Sequence, residues 1–215
     1  MPELETNSSA SYLKHLRRAE FISSIPNFAA LPNGAGQEVA FAGRSNAGKS
    51  SVINCLCDNK KLARISKTPG RTRALNFFSL PTVQQPETYT PPQYLVDLPG
   101  YGFARISAQL ETSDLISQYL MHREQLCALV LILDIRRQLT DTDRQLMHLC
   151  AQRNRPLLAV LNKADKCSRS EQMAALQSMQ KLTSFVMLFS AVKKTGLDAV
   201  ADWIAQQLQE ATLAP

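Results

Sequence analysis

One eight-residue stretch limits the fold of this chain more than any other: Gly43-Arg44-Ser45-Asn46-Ala47-Gly48-Lys49-Ser50. It has the form G-x-x-x-x-G-K-S, the apolar stretch before it predicts a strand, and the stretch after it predicts a helix. This arrangement is typical of the P-loop, in which backbone N–H groups and a helix N-terminus surround phosphates. Gly43 and Gly48 allow close backbone approach, and Lys49 can reach the outer phosphates. The Ser50 hydroxyl can ligate Mg2+, so we favour a phosphate site over a chance Gly/Ser-rich turn.

Length and composition indicate one globular domain. The 215 residues are 45% hydrophobic and 20% charged, which suffices for a sizeable core. The formal net charge of +6 modestly favours an anionic partner such as RNA or a membrane surface. No signal peptide is predicted, no apolar run is long enough to span a bilayer, and the cysteine count is odd. We therefore expect a soluble, cytoplasmic protein with reduced thiols and no membrane insertion.

Predicted strands and helices alternate after the P-loop. The predicted strands are residues 38–42, 74–80, 94–97, 128–134, 156–161 and 185–189. This alternation predicts an α/β domain with a mostly parallel six-stranded sheet and helices on both faces. We assign the domain to residues 21–211, between a flexible N-terminal segment (1–20) and a short C-terminal tail (212–215).

The N-terminal part carries apolar residues at helical spacing over residues 11–25, beside several basic side chains. This pattern favours a short helix or an extended segment packed on the domain edge, and the alternative is a basic arm that contacts RNA. Residues 81–92 contain four prolines, which predicts an exposed connector between two strands.

A second string, Asp97-Leu98-Pro99-Gly100, follows a predicted strand, where open α/β sheets bind ligands. The Asp97 carboxylate can hold Mg2+ through water. The Gly100 N–H can meet a γ-phosphate, which distinguishes a triphosphate from a diphosphate. Asp and Gly are common turn residues, so the position of the string downstream of the P-loop is what favours this role.

A third string, Asn162-Lys163-Ala164-Asp165, follows the predicted strand at 156–161. The Asp165 carboxylate can accept hydrogen bonds from both N1–H and the exocyclic amine of guanine, whereas adenine has no N1–H. The Lys163 stem can lie along the base, and Asn162 can brace the loop. The next strand ends in Phe189-Ser190-Ala191, where a backbone N–H can meet the guanine O6. Together these strings indicate GTP and Mg2+.

The basic loop at residues 60–73 is the candidate sensor of the γ-phosphate and Mg2+. Thr68 and Thr72 compete for this role, and we favour Thr72 because it lies just before a predicted strand. The candidate site residues here are Gly70, Arg71, Thr72, Arg73 and Ala74. The six Lys and Arg side chains of the loop either solvate a flexible segment or form an RNA-facing switch that orders when GTP binds.

Four strings together resemble the EngB (YihA/YsxC) family of bacterial GTPases: Gly43–Ser50, Thr68–Thr72, Asp97–Ala104 and Asp134–Asp143. The resemblance extends from Phe21 to Leu208 and implies a Ras-like fold in the Era-like branch of the TRAFAC P-loop GTPases. It also implies Mg2+ ligation by Ser50 and Thr72, a role in large ribosomal subunit assembly, and a need for the protein in normal cell division septation. Asn162 stands where relatives often have Thr, and the connector at 81–92 is longer than usual.

The residues that would catalyse GTP hydrolysis are harder to recognise in the sequence than those that would bind the nucleotide. Ras-type enzymes have a glutamine after the D-x-x-G glycine, whereas this chain has Tyr101, which cannot orient water through an amide. We assign no catalytic residue and expect slow GTP hydrolysis that rises on a partner. The family resemblance implies that Asn46 can help to hold a K+ ion near the phosphates.

Two functions remain open at this point. One is a monomeric GTP switch that binds ribosomal RNA or a large-subunit particle. The other is a septation or signalling GTPase that binds protein partners. The net charge of +6 and the basic loop favour the first.

Overall fold

The computed structural model describes residues 9–63, 74–81, 90–102 and 106–213, which are built around one seven-stranded sheet. The strands are β1 (Glu20–Ile25), β2 (Gln37–Gly43), β3 (Leu75–Ser79), β4 (Gln93–Asp97), β5 (Leu126–Asp134), β6 (Leu157–Asn162) and β7 (Phe185–Leu188). The helices are α1 (Ser9–Leu16), α2 (Lys49–Leu56), α3 (Ile106–His122), α4 (Asp141–Gln152), α5 (Arg169–Gln180) and α6 (Leu197–Leu213), with short 3-10 turns at Phe28–Ala30 and Ala164–Lys166.

The strand order is β1-β3-β4-β2-β5-β6-β7. β2 is parallel to β4 and β5, β6 is parallel to β5 and β7, and β3 is antiparallel to both of its neighbours. Every residue of β2 and β6 is buried, as expected for central strands covered on both faces by crossover helices. The predicted α/β fold with a mostly parallel sheet is confirmed.

The sheet has seven strands and not the predicted six, because residues 20–25 form β1. α1 ends at Leu16, and β1 pairs with β3 from Glu20↔Ser79 to Ile25↔Leu75. The favoured prediction of a short helix or an extended segment on the domain edge is confirmed, because α1 is followed by the edge strand β1. The helical spacing itself does not continue to residue 25, since Ile22 lies in β1 and is 52% exposed. Pairing with the edge of β3 satisfies backbone N–H and C=O groups, and this gain outweighs a local helical pattern.

Both ends of the described chain pack on the domain. Leu13 and Leu16 of α1 share one hydrophobic cluster with α6, so part of the segment 1–20, predicted as flexible, is helical and packed. At the other end, Gln37 Nε2 donates to Thr212 Oγ1 at 2.8 Å. This bond joins the first residue of β2 to the last turn of α6.

Two hydrophobic clusters lie on opposite faces of the sheet. Side chains alternate along β2, so Val39 and Phe41 join the cluster of α1, α2 and α6, while Ala40 and Ala42 join the cluster of α3 and α4. The strand that leads to the P-loop is thereby held from both sides.

A buried ion pair fixes the start of β2. The Glu38 carboxylate is 1% exposed and accepts hydrogen bonds from Arg123 Nη2 at 2.5 Å and Tyr119 Oη at 2.6 Å. Arg123 Nη1 also donates to the Pro32 carbonyl at 2.9 Å. A buried charge is tolerated only with such partners, so α3 and the segment before β2 are locked together.

The five cysteines are unpaired thiols, as the sequence predicts. Burial raises the pKa of Cys57 and of Cys150 to about 12, so both stay protonated at neutral pH and act as apolar core side chains. Among the residues described, every helix is too short or too polar to cross a bilayer.

Candidate functional site

Four neighbouring strands end at one edge of the sheet and bring the predicted strings together. β2 ends at Gly43, while β4, β5 and β6 end at Asp97, Asp134 and Asn162. All four run in the same direction. Ligands of open α/β sheets bind at such a carboxyl edge, so the topology alone makes this the candidate site.

The P-loop between β2 and α2 depends on its two glycines for different reasons. Gly48 has a φ of +97°, and a Cβ there would lie 2.3 Å from Asn162 Nδ2. A Cβ on Gly43 would lie 2.7 Å from the Ile132 carbonyl oxygen. Gly48 is also the N-cap of α2 and has no side chain to cap it, so the first-turn N–H groups face the loop. Such a terminus suits a phosphate.

Lys49 and Asp97 form an ion pair at the centre of this edge. Lys49 Nζ donates to Asp97 Oδ1, and the two side chains are 10% and 7% exposed. Ser50, the next residue of α2, is half-buried. The three groups supply an ammonium, a carboxylate and a hydroxyl within one small region, which is the donor set that phosphates and Mg2+ require.

The segment after β4 continues alongside the P-loop. Leu98 N donates to the Phe41 carbonyl at 3.0 Å, and Ser45 N donates to the Tyr101 carbonyl at 2.9 Å. Gly100 lies between these bonds, and a Cβ there would be 3.1 Å from Ser45 Oγ. Leu98 is therefore bonded to β2 and Gly100 lies against Ser45 of the P-loop, while the contact of Leu98, Pro99 and Gly100 with a nucleotide remains a prediction.

The end of β6 is bonded directly to the P-loop. Asn162 Nδ2 donates to the Ala47 carbonyl at 2.9 Å, and Asn162 Oδ1 accepts from Lys163 N at 2.8 Å. Lys163 has a φ of 64°, and its Nζ donates to the Asn46 carbonyl at 2.6 Å. Asn162 thus braces the loop, as predicted, and Lys163 bridges the predicted base and phosphate regions.

The segment Phe189-Ser190-Ala191, which follows β7, lies beside Asp165. Ser190 Oγ donates to Asp165 Oδ1 at 2.6 Å and accepts from Lys193 N at 3.1 Å. Ala164 N donates to the Phe189 carbonyl at 3.0 Å, and Ala191 is half-buried next to this turn. The hydrogen bond from Ser190 lowers the pKa of Asp165, so this carboxylate is ionised and held in one orientation at neutral pH.

Asp134 is a site residue to which sequence reasoning assigned no role. Its Oδ2 accepts from Lys163 Nζ at 2.9 Å and from Arg136 Nη2 at 2.7 Å, and Oδ1 accepts from Arg136 Nε at 2.9 Å. These partners, Arg136 first, hold the pKa of the buried Asp134 carboxyl well below its usual range. An acidic residue at the end of an otherwise apolar strand was the available signal.

Part of the predicted site lies outside the described residues, namely Gly70, Arg71, Thr72 and Arg73. Ala74 is described and half-buried just before β3. Within the described ranges, no group of three or more His, Cys, Asp or Glu side chains could hold a metal ion. A Mg2+ held by one hydroxyl and by phosphate oxygens needs no such group, so Ser50 and Asp97 fit the expected ion.

Two solved structures of known proteins share this fold. A crystal structure of a probable GTP-binding protein engB matches with a TM-score of 0.60 and 21% identity, over 80% of this chain and 99% of that one. Era in complex with MgGDPNP and nucleotides 1506–1542 of 16S ribosomal RNA matches with a TM-score of 0.63 and 22% identity, over 80% of this chain and 57% of that one. The fold is that of a P-loop GTPase.

Sequence relatives define the family. Residues 38–163 match the family model described as a 50S ribosome-binding GTPase. The probable GTP-binding protein EngB of Burkholderia vietnamiensis (strain G4) is 42% identical over an aligned length of 217 positions, and the alignment covers 93% of this chain and 97% of the relative. Its counterpart in Burkholderia cenocepacia (strain HI2424) is 43% identical over 207 residues, covering 90% and 92%. The chain belongs to the EngB family of GTP-binding proteins.

The Asp134 cluster gives a prediction about pH. Replacing Asp134→Asn should lower the free energy of unfolding at pH 7 by about 1–3 kcal/mol, because Lys163 and Arg136 lose a buried charged partner. A depressed pKa stabilises the fold above the unfolded value of about 3.9, and this stabilisation is lost as the pH falls through the folded pKa. Urea unfolding from pH 7 down to about pH 2 should therefore show a smaller loss of stability below about pH 4 in the variant than in the wild type.

Asp114→Asn is the matched control, because Asp114 is exposed and accepts one bond, from Gln118 at 2.7 Å. It should leave both the stability and its pH profile close to those of the wild type. Identical profiles for wild type and Asp134→Asn would contradict the assigned role of Asp134.

Proposed function

We propose that this EngB-family GTPase is a slow GTP switch in large ribosomal subunit assembly, needed for normal septation. The observation that carries the proposal is the joining of two half-sites on one edge. Lys49, Asp97 and Gly100 lie at the phosphate half, and Lys163 connects them through the P-loop to Asp165 and Ser190 at the base half. A nucleoside triphosphate needs both halves at a fixed separation.

The phosphate half would work by charge and geometry. Binding of a polyphosphate draws Lys49 from Asp97, because the phosphate oxygens are stronger acceptors for an ammonium than a single carboxylate. Asp97 would then be free to hold Mg2+ through water, and Ser50 with Thr72 would be its ligands. The bound Mg2+ neutralises charge on the phosphates. Gly100 N–H would contact only a third phosphate, which makes the segment after β4 the state-dependent part.

Guanine selection would rest on Asp165. Its carboxylate is ionised and oriented by Ser190, so it can accept two hydrogen bonds from the guanine edge. Adenine would leave the carboxylate without these donors in a partly buried site, and an unsatisfied group of this kind carries a large penalty.

Asp165→Asn should lower GTP affinity by at least tenfold and shift preference towards xanthine nucleotides, because an amide matches the xanthine edge. Ser190→Ala is the matched control, since it removes the orienting hydrogen bond and keeps the carboxylate. It should weaken GTP and leave xanthosine triphosphate unfavoured. Competition binding with fluorescent GDP measures both, and unchanged GTP affinity in Asp165→Asn would show that the base site is misassigned.

Slow intrinsic hydrolysis is supported by the direction of the Tyr101 side chain. Tyr101 is 3% exposed, and its hydroxyl donates to Asp143 Oδ1 at 2.6 Å, so it is committed to the core. It occupies the position of the water-orienting glutamine of Ras-type enzymes but has no free group for a water. A partner or a cation would then supply the missing charge compensation.

Asn46 is the proposed K+ ligand, and its φ of 68° dictates the variant. Asn46→Gly removes the amide without adding strain, whereas alanine is disfavoured at positive φ. The steady-state GTPase rate should be several-fold higher in KCl than in NaCl for the wild type, and this difference should disappear in Asn46→Gly. Equal rates of the wild type in both salts would exclude the K+ proposal.

The assembly role is supported by the match to 50S ribosome-binding GTPases and by the net charge of +6. A cytoplasmic monomer acting on ribosomal RNA or a large-subunit particle fits both features. The alternative is a septation or signalling GTPase that binds protein partners without a direct ribosome role.

Co-sedimentation with 50S particles separates the two. The protein should pellet with the particles in a non-hydrolysable GTP analogue and much less in GDP, and the association should weaken as salt rises. Lysozyme, a basic protein with a different fold, is the control for association by charge alone, and its pelleting should not depend on the nucleotide. Equal pelleting in both nucleotides, or none, would refute the assembly role and favour protein partners.

A further inference from the structure

Tyr101 has a buried hydrogen bond that the GTPase motifs do not account for. Its hydroxyl donates to Asp143 Oδ1 at 2.6 Å, and Tyr101 and Asp143 are only 3% and 1% exposed. Burial, together with the adjacent carboxylate, raises the pKa of Tyr101 far above neutrality. The phenol therefore remains a donor throughout the physiological pH range.

The acceptor is held independently of Tyr101. Asp143 Oδ2 accepts from Thr140 N and Thr140 Oγ1, both at 2.7 Å, and Asp143 N donates back to Thr140 Oγ1 at 3.3 Å. This is the capping box of α4, so the carboxylate is fixed to a helix that packs in the core. Tyr101 is thus attached to a part of the fold that has its own supports.

The backbone of the same residue is attached to the P-loop. Ser45 N donates to the Tyr101 carbonyl at 2.9 Å, and a Cβ at the preceding Gly100 would lie 3.1 Å from Ser45 Oγ. A Cβ at the following Gly102 would lie 3.3 Å from Arg44 Nε. The turn from Gly100 to Gly102 is therefore held between the P-loop on one side and α4 on the other.

We propose that Tyr101 is a positioning residue, whose hydrogen bond to Asp143 keeps Gly100 against the P-loop ready to contact a third phosphate. The inference rests on the proposed binding of GTP at this edge. Only GTP has the phosphate that Gly100 would contact, so an anchor of Gly100 must favour GTP over GDP. A nucleotide that binds two conformations of the protein with equal affinity does not change their populations. The contact with Gly100 would be made by GTP and not by GDP, so it can favour one nucleotide.

A purely structural role for the bond is the competing explanation, and the chain contains its control. Tyr119 Oη donates to Glu38 Oε2 at 2.6 Å, and Tyr119 is fully buried in the same hydrophobic cluster as Tyr101. Both tyrosines donate to a buried carboxylate at the same distance, but Tyr119 lies on α3 and its acceptor at the start of β2. Tyr101→Phe and Tyr119→Phe each remove one buried hydroxyl group, but only Tyr101 is adjacent to Gly100.

The experiment compares Tyr101→Phe, Tyr119→Phe and the wild type. Binding of GDP and of a non-hydrolysable GTP analogue is measured by titration calorimetry with Mg2+, and stability by urea unfolding. Both variants should be destabilised to a similar degree. Tyr101→Phe should lose about five- to tenfold in affinity for the GTP analogue relative to GDP, and Tyr119→Phe should keep the wild-type ratio.

Asp143→Asn is a second variant, because its single amide oxygen can accept from Tyr101 or from Thr140 N but not from both, which weakens the anchor of Tyr101 without removing every acceptor. It should shift the ratio in the same direction by less. An unchanged ratio in Tyr101→Phe, a shift towards the GTP analogue, or an equal shift in Tyr119→Phe would overturn the inference. Failure of the wild type to bind either guanine nucleotide would refute the proposed function itself, and the inference with it.

Discussion

The close contact between Gly48 and Asn162 is the constraint on which the rest of the site depends. Asn162 Nδ2 lies 2.3 Å from where a Cβ on Gly48 would be, and the same nitrogen donates to the Ala47 carbonyl. This approach brings the end of β6 onto the P-loop. Because β6 pairs with β5 and β5 with β2, the contact closes a ring of bonds around the edge of the sheet. The P-loop is therefore supported by tertiary structure as well as by its own turn.

Buried carboxylates show how the same edge carries charge. Asp97 ends β4 and Asp134 ends β5, the two strands on either side of β2. Each carboxylate has a cation from another element: Lys49 for Asp97 and Lys163 for Asp134. Buried acids are costly unless paired, so each pair fixes two elements relative to each other. The Asp134 pair holds the lysine that bridges the base and phosphate halves. The Asp97 pair consists of the ammonium group of Lys49, which would bind a phosphate, and the Asp97 carboxylate, which would hold a metal ion through water.

The parts of this structure that could be predicted from sequence are those governed by local chemistry. The P-loop and the strings at Asp97 and Asn162 can be recognised from sequence, because each follows a predicted strand, where open α/β sheets bind ligands. β1 could not be predicted in this way, since its reason is the unpaired edge of β3 more than fifty residues later in the chain. Asp134 and Asp143 likewise have roles set by partners distant in sequence, Lys163 and Tyr101.

The supports of the two halves of the site differ, and this difference bears on how a switch can work. The base half and the P-loop are tied together by direct bonds from Asn162 and Lys163, so in the proposed function they would contact GDP and GTP alike. Binding energy that GDP and GTP share equally cannot make the protein respond differently to the two nucleotides. In the proposed function, discrimination between GDP and GTP would therefore come from the segment after β4 and from the candidate loop at residues 60–73. Tyr101 bonds that segment to Asp143 of α4, so the part of the proposed site that would respond to a third phosphate is also bonded directly to a helix of the cluster formed by α3 and α4.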